Sequence, residues 1–488
     1  MVTAASPKTA PAALPRVARQ VLGPGAVILA VAVVLRLVYD PWYGNYDARY
    51  SLLWARDALR GLTPDYGAPF APTPHPLEIA VSTLGVALGD QVMVWIVLLC
   101  FGALVWLVYR LGAQLFSPGA GIIAAALVAT RPLLVWGAIL GYQDTAFALL
   151  IVAAVLLEAR RARRGAAVLG LLVLAGLMRP EAWVLSGLYF LYLWPSRSPS
   201  TRLRLAVLAA LAPVLWALSD LVVAGDALHS LHGTAALADD LNRRRSVVQA
   251  PYWAAVYFTF ALRGGLIGIA IGLAFAWRRR LRAAALPVVV AAVMTAVFLA
   301  GPLFGLPLIS RYVRTPAVVL APFFGLAILG WRRLPPGRAR TLWMGAGIGA
   351  AAVSIALLPW DAKVLHTERV RLQRNNVIYH DLRAAARARK VRAAFARCGG
   401  IAASDNRPVP FLRWWLDGPP GSVRTVMQHQ GTLGRVLLAP RRTRRTRTYY
   451  GKGFPHVALP PGWRTLYQNR TWRVSAAPDC RITAAGRT

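Results

Sequence analysis

Long apolar runs alternate with short polar segments from residue 22 to residue 358. Runs of about 18 or more apolar residues read as membrane-spanning helices. The pattern holds about eleven such spans, at roughly 22–40, 91–110, 118–138, 144–158, 166–178, 181–195, 203–224, 253–277, 283–301, 314–331 and 341–358. A long polar loop, 41–90, separates the first two. Within it, Ala48 to Arg60 has helical spacing: Ala48, Leu52, Ala55 and Leu59 share an apolar face, and Arg49, Arg56 and Arg60 form the adjacent stripe. Gly61 suits the end of that helix. The arrangement predicts a helix in the membrane interface, its guanidinium groups near lipid phosphates. A second short helix is expected from Pro76 to Leu88.

At about residue 359 the pattern changes. A charged helical stretch, LHTERVRLQRNNVIYHDLRAAARARKVRAAF, is followed after Cys398 by short apolar pieces broken by Gly and Pro, the signature of strands and loops. The chain therefore divides into a tail (1–21), a transmembrane domain (22–358) and a small mixed α/β domain (359–488). No internal repeat is evident.

Composition agrees with a polytopic α-helical membrane protein: 57% of residues are hydrophobic, only 15% are charged, and the mean hydropathy is +0.48. The charge is lopsided, with 56 Lys and Arg against 19 Asp and Glu. Basic clusters in short loops orient helices and do not imply nucleic acid. EARRARR (158–164), SRSPSTRLR (196–204), WRRRLR (277–282) and WRRLPPGRAR (331–340) fall on alternate loops, the same side as Arg16 and Arg19. By the positive-inside rule that side is the cytoplasm. The expected location is the plasma membrane, multi-pass, with a cytoplasmic N-terminus. Loop 41–90, loop 225–252 and the C-terminal domain then face outward. Cys100 reads as a small core residue. Cys398 and Cys480 suit a disulfide in an oxidising compartment. The Arg, Ala and Gly bias hints at a bacterial source.

Acidic residues are scarce, so ionisable groups at the outward helix ends are the candidates for chemistry. Asp47, in GNYDARY, suits a general base beside the bilayer, or an N-cap for the helix after it. Asp144, in GYQDT, suits an acceptor hydroxyl or a divalent cation, or again a cap. His75, in PTPHPLE, is a candidate phosphate or metal contact, or merely an exposed loop histidine. Arg179, beside Pro180 and Glu181, forms a tight turn with a local ion pair as its plain reading. Arg311, in SRYVRT, suits a phosphate or snorkels to lipid head groups. Asp226, His229 and His232 have metal-compatible spacing without other support. RRTRRTR (441–447) reads as a solvated basic surface. No phosphate-binding glycine loop is present.

The segments NYDARYSLLWARDALRG, PTPHPLE, GYQDTAFALL, RPEA and SRYVRTP, in this order and on one side, resemble the GT-C superfamily of membrane glycosyltransferases. These include protein O-mannosyltransferases, lipid A aminoarabinose transferases and actinobacterial arabinosyl- and mannosyltransferases. The resemblance covers most of the membrane half. It implies a sugar donor linked to a polyprenyl phosphate, and a glycan, lipid or protein acceptor at the cell envelope. It also implies Asp47 as base, Asp144 as acceptor or metal ligand, and His75, Arg311 and Arg179 as donor-phosphate contacts. A divalent cation, Mg2+ or Mn2+, is left open. Many members carry two adjacent acids in the first loop, whereas Asn45 and Tyr46 precede Asp47 here. The rival classes are a transporter or flippase of a lipid-linked glycan and a non-catalytic envelope-assembly protein. A transporter is expected to show repeats and charge deep in its spans, and apart from Arg36 the spans read as poor in such charge.

Overall fold

A computed structural model describes residues 16–427, 434–455 and 457–480. Most of the predicted tail, 1–15, lies outside them. The remaining N-terminal residues open the first helix, Arg16–Tyr39.

The chain is mostly helical, with a small sheet near its C-terminus. Among the described residues, five helical stretches are long and apolar enough to cross a membrane, and seven if each of two sharply bent pairs is one span. Shorter apolar helices occupy other predicted spans, among them Gly23–Tyr39 and Ala166–Gly176. Helix length and composition therefore support a multi-pass membrane protein without reproducing the count of eleven.

The central element is the stretch Ser310–Arg333, 83% of whose apolar window is buried inside the protein. Close backbone approach makes this possible: a Cβ on Gly325 would lie 2.1 Å from the Ala120 carbonyl oxygen. Small residues let helices in lipid approach to van der Waals contact, where dispersion replaces the missing hydrophobic drive.

The two bent pairs correct the predicted spans 118–138 and 253–277. Pro118–Thr130 and Pro132–Ile139 meet at 62°, and Ala250–Leu262 and Gly265–Arg278 at 103°. Pro132 disfavours a helical residue before it, and Arg263 adopts a left-handed φ of 46°. Arg131 and Arg263 at these breaks both pair with buried Asp361, each at 2.9 Å. The expectation of spans poor in charge thus missed two arginines, because they sit where helices break and share one carboxylate.

Beyond the helical body, Leu358–Arg387 forms a 30-residue helix that leads into the C-terminal domain. Its strands are β1 (Ile401–Ala403), β2 (Val423–Thr425), β3 (Val436–Pro440), β4 (Arg464–Gln468) and β5 (Trp472–Ala476), in the order β2-β1-β3-β5-β4. β1 runs parallel to β2 and β3, and β5 is antiparallel to β3 and β4. Trp472, almost fully buried, donates from Nε1 to the Ile378 carbonyl at 3.0 Å and fixes the long helix against the sheet. Cys398 and Cys480 are joined by a disulfide.

The helix Tyr46–Leu59 is nearly buried, not interfacial. Arg49 reaches Asp90 at 2.8 Å with its guanidinium carbon 5.1 Å from the Phe411 ring centroid. Arg56 donates to Asp417 and to the Gly418 carbonyl. The arginine stripe expected at lipid phosphates instead holds the C-terminal domain. Spacing revealed the stripe but not its partner, which lies some 360 residues away in sequence.

Candidate functional site

The candidate residues from five separate segments converge at one end of the helical body, the end on which the C-terminal domain sits. Asp47 lies in the first turn of Tyr46–Leu59. Its capping alternative is filled by another residue: Asn45 accepts from the Ala48 amide at 2.9 Å and donates from Nδ2 to the Leu140 carbonyl. Asp47 is left free for other use, and its Oδ2 accepts from Arg311 Nη1 at 2.9 Å.

Asp144 opens the helix Asp144–Arg160 and makes no capping bond there. It pairs with Arg179 and lies 3.9 Å from Arg314. Arg179 also pairs with Glu181, and its guanidinium carbon stands 4.5 Å above the Tyr312 ring. Gly137 leaves room for Arg314, since a Cβ there would fall 2.5 Å from Arg314 Nη1. Burial works against the charge of Arg179, yet neighbouring carboxylates outweigh it and hold its pKa above the ordinary guanidinium value.

His75 precedes Pro76–Leu88 and is buried, its ring edge-on to Trp216 at 5.5 Å. Burial, then Arg311 and Arg179, push its pKa down to about 3. A phosphate contact from His75 would be that of a neutral imidazole. Three residues later comes Glu78, which the sequence reading passed over. It too is buried, and burial, then Asp47 and Asp144, raise its pKa to about 8. It is a neutral acid at ordinary pH, able to donate a hydrogen bond. Its presence in PTPHPLE, in a chain with few acids, was the available signal.

In front of Asp47 lies a cavity of about 320 Å3. Tyr46, Asp47, Tyr142 and Arg243 form one side. Asn406, Arg407 and Tyr449 of the C-terminal domain form the other, with Tyr379 from the long helix. A larger cavity, about 490 Å3, is lined by Tyr50, Asp65, Tyr66, His229 and Arg413. It is the roomier of the two, but it holds none of the converging groups, whereas Asp47 lines the smaller one. In the larger cavity His229 faces Tyr66, while His232 pairs with Asp226 at 2.6 Å, so only two of the three residues with metal-compatible spacing meet.

The donor set does not fit a divalent cation. Among the described residues no group of three or more His, Cys, Asp or Glu side chains could hold one. Asp144, the expected ligand, faces two guanidinium groups that already balance its charge. Coordination needs carboxylate oxygens free to converge on the ion, and arginine counter-ions occupy that role here.

No protein-family model matches the sequence, and no curated protein is similar to it by sequence. Solved structures do share its architecture. ArnT from Cupriavidus metallidurans bound to undecaprenyl phosphate is 13% identical, with a TM-score of 0.52 over 96% of this chain and 100% of that one. The same protein in the apo state gives 12% and 0.51. The archaeal oligosaccharyltransferase AglB from Archaeoglobus fulgidus, in complex with an inhibitory peptide and a dolichol-phosphate, is 14% identical over 88% of this chain and 71% of that one, with a TM-score of 0.49. The chain has the GT-C fold, as its sequence resemblance implies.

Proposed function

We propose that this protein is a membrane glycosyltransferase that moves a sugar from a polyprenyl-phosphate donor to a cell-envelope acceptor. The observation that carries the reading is Asp47. It is a carboxylate released from capping duty by Asn45, held by one guanidinium, and exposed to a cavity at the junction of the two domains. The lipid phosphate bound to ArnT, which shares this fold, gives independent support for the class of donor.

In the proposed reaction the acceptor hydroxyl attacks the anomeric carbon. Asp47 takes its proton as the new C–O bond forms and the bond to the donor phosphate breaks, so the configuration inverts. A phosphate monoester leaves as an anion and needs no proton, so one base suffices. Its charge falls to the guanidinium groups, with Arg311 and Arg179 as contacts and neutral His75 as a hydrogen-bond donor. Asp144 keeps Arg179 and Arg314 in place and stands near the acceptor. No step is routed through a metal ion. The cavity wall of Asn406, Arg407 and Tyr449 offers amide, guanidinium and aromatic surface, the chemistry that binds a sugar ring.

The side of the membrane belongs to the same proposal: the N-terminus in the cytoplasm, the C-terminal domain outside, at the plasma membrane. The test uses purified protein and a panel of radiolabelled polyprenyl-phosphate sugars, with envelope extract as acceptor. Release of polyprenyl phosphate that disappears in Asp47→Asn is the expected result. A panel from which no donor is consumed overturns the reading, as does labelling that places residue 47 in the cytosol.

A further inference from the structure

Arg243 has no place in the sequence reading, yet it shares the cavity with Asp47. It differs from the other arginines of the site in one respect. Arg311 is paired with Asp47, and Arg179 and Arg314 with Asp144. None of the ion pairs among the described residues includes Arg243, which is nonetheless close enough to feel both Arg311 and Asp47. Burial, then Arg311, lowers its pKa, while Asp47 offsets part of that. An anion arriving in the cavity would relieve the strain on its charge.

The backbone holds Arg243 where it is. The helix His229–Asp240 ends with Asn242 in the left-handed region, φ 48°. The Asn242 amide donates to the Asp239 carbonyl at 2.9 Å and the Arg243 amide to the Ala238 carbonyl at 2.8 Å. This is the paired bond pattern of a Schellman helix end. The next carbonyl, of Arg244, accepts from the Leu308 amide at 2.8 Å, three residues before Arg311. One backbone hydrogen bond thus ties the segment carrying the unpaired arginine to the segment carrying the paired one.

We infer that Arg243 is a catalytic residue that receives the donor's phosphate in the cavity, beside the carboxylate-paired Arg311. The inference rests on the glycosyltransferase reading and adds a residue to it. A guanidinium already bound to a carboxylate must give up that bond to take a phosphate, whereas Arg243 gives up only water. It forms the first contact, and Arg311 exchanges Asp47 for phosphate oxygen afterwards, freeing the base.

The test measures binding of undecaprenyl phosphate, and separately of inorganic phosphate, to the full-length protein in detergent, alongside donor and acceptor KM. Arg243→Gln is expected to weaken undecaprenyl phosphate binding at least tenfold and to raise the donor KM in step, with the acceptor KM unchanged. Arg243→Lys is expected to recover part of the loss. Arg245→Gln, which breaks only a surface pair with Asp239, should behave as wild type. Loss toward both probes assigns the contact to the phosphate group alone, and loss toward the lipid only assigns it to a lipid-borne phosphate. A monodisperse Arg243→Gln protein that binds undecaprenyl phosphate as wild type does overturns the inference and leaves the transferase reading standing. A wild-type protein that binds neither probe overturns both.

Discussion

The helix Tyr46–Leu59 carries an aspartate–arginine pair at each end, and the two differ in what surrounds them. At the N-terminal end Asp47 meets Arg311, with side chains 26% and 22% exposed. At the C-terminal end Asp57 meets Arg413, 0% and 2% exposed. Arg413 is fully engaged: its Nη1 donates to both oxygens of Asp65 and its Nε to the Gly418 and Pro419 carbonyls. Arg56 adds Asp417 from the same face. The sealed pair joins loop 41–90 to the C-terminal domain. The open pair borders a cavity whose far wall is that same domain. The two pairs have the same charge types and differ in exposure, and on the proposed function it is the open one that can change partners.

The comparison breaks most visibly at Asp47. Asp47→Asn is expected to lower sugar transfer by about 10²- to 10⁴-fold, the usual share of a general base. The thermal midpoint should fall less than in Asp57→Ala, because the pair is half-buried and borders a cavity. Transfer rates and a melting curve in one detergent check both halves. Activity that survives in the variant would remove Asp47 from its role.

Asp57→Ala should do the reverse. It removes one of the two carboxylates that hold the Arg413 guanidinium, while Asp65 keeps its bonds to Nη1. The cost should therefore stay below about 3–5 kcal/mol, that of a buried charge left with no partner. The expected outcome is a protein whose C-terminal domain becomes protease-sensitive, with activity lost only as the domain comes loose. Limited proteolysis followed in time reads this directly. If Asp57→Ala resists protease as wild type does while losing transfer, the two ends have been assigned the wrong way round.

How much of this was legible beforehand follows from the kind of signal each residue sends. Apolar runs mark helices strongly, so a mostly helical, multi-pass fold could be read from the sequence but not its number of spans, and the acids and arginines at helix ends were singled out by their scarcity. Pairing was not legible. Arg56 and Asp417 lie 361 positions apart, and nothing local tells Arg56 that it faces a protein domain instead of lipid. The spans 118–138 and 253–277 read as continuous because hydropathy averages over Arg131 and Arg263, and only their shared Asp361 explains why the helices turn there. Glu78 was hidden by its neighbour His75, which drew the reading of its motif. Arg243 stands first in a run of three arginines, and nothing local distinguishes it from Arg244 and Arg245.

A smaller effect tests the neutral acid behind the open pair. The folded pKa of Glu78 is raised to about 8, above its ordinary value of 4.5. A raised acid contributes stability that is fully present below the unfolded pKa and lost as pH rises through the folded one. Stability should therefore decline between about pH 5 and pH 8 on this account, and Glu78→Gln should flatten that decline. His75, with a pKa lowered to about 3, acts oppositely: its contribution is present above the ordinary histidine value and lost as pH falls. Melting curves across the range separate the two, and a slope unchanged in Glu78→Gln would show that the carboxyl is already ionised in the folded protein.

The smallest change belongs to the rim of the sealed pair. Arg60 pairs with Asp417 at 2.9 Å, with side chains 46% and 59% exposed. Water screens that pair, and exposed pairs are worth about 0.2–1 kcal/mol. Arg60→Ala should therefore shift the midpoint by no more than such a pair allows, and leave both transfer and protease resistance as they are. Arg60 thus calibrates Asp57: the two residues lie three positions apart on the same interface and differ chiefly in access to water. If Arg60→Ala proved as damaging as Asp57→Ala, the interface would depend on its rim instead of its sealed centre. The distinction between a closed and an open charge, on which the assignment of Asp47 rests, would then lose its physical basis.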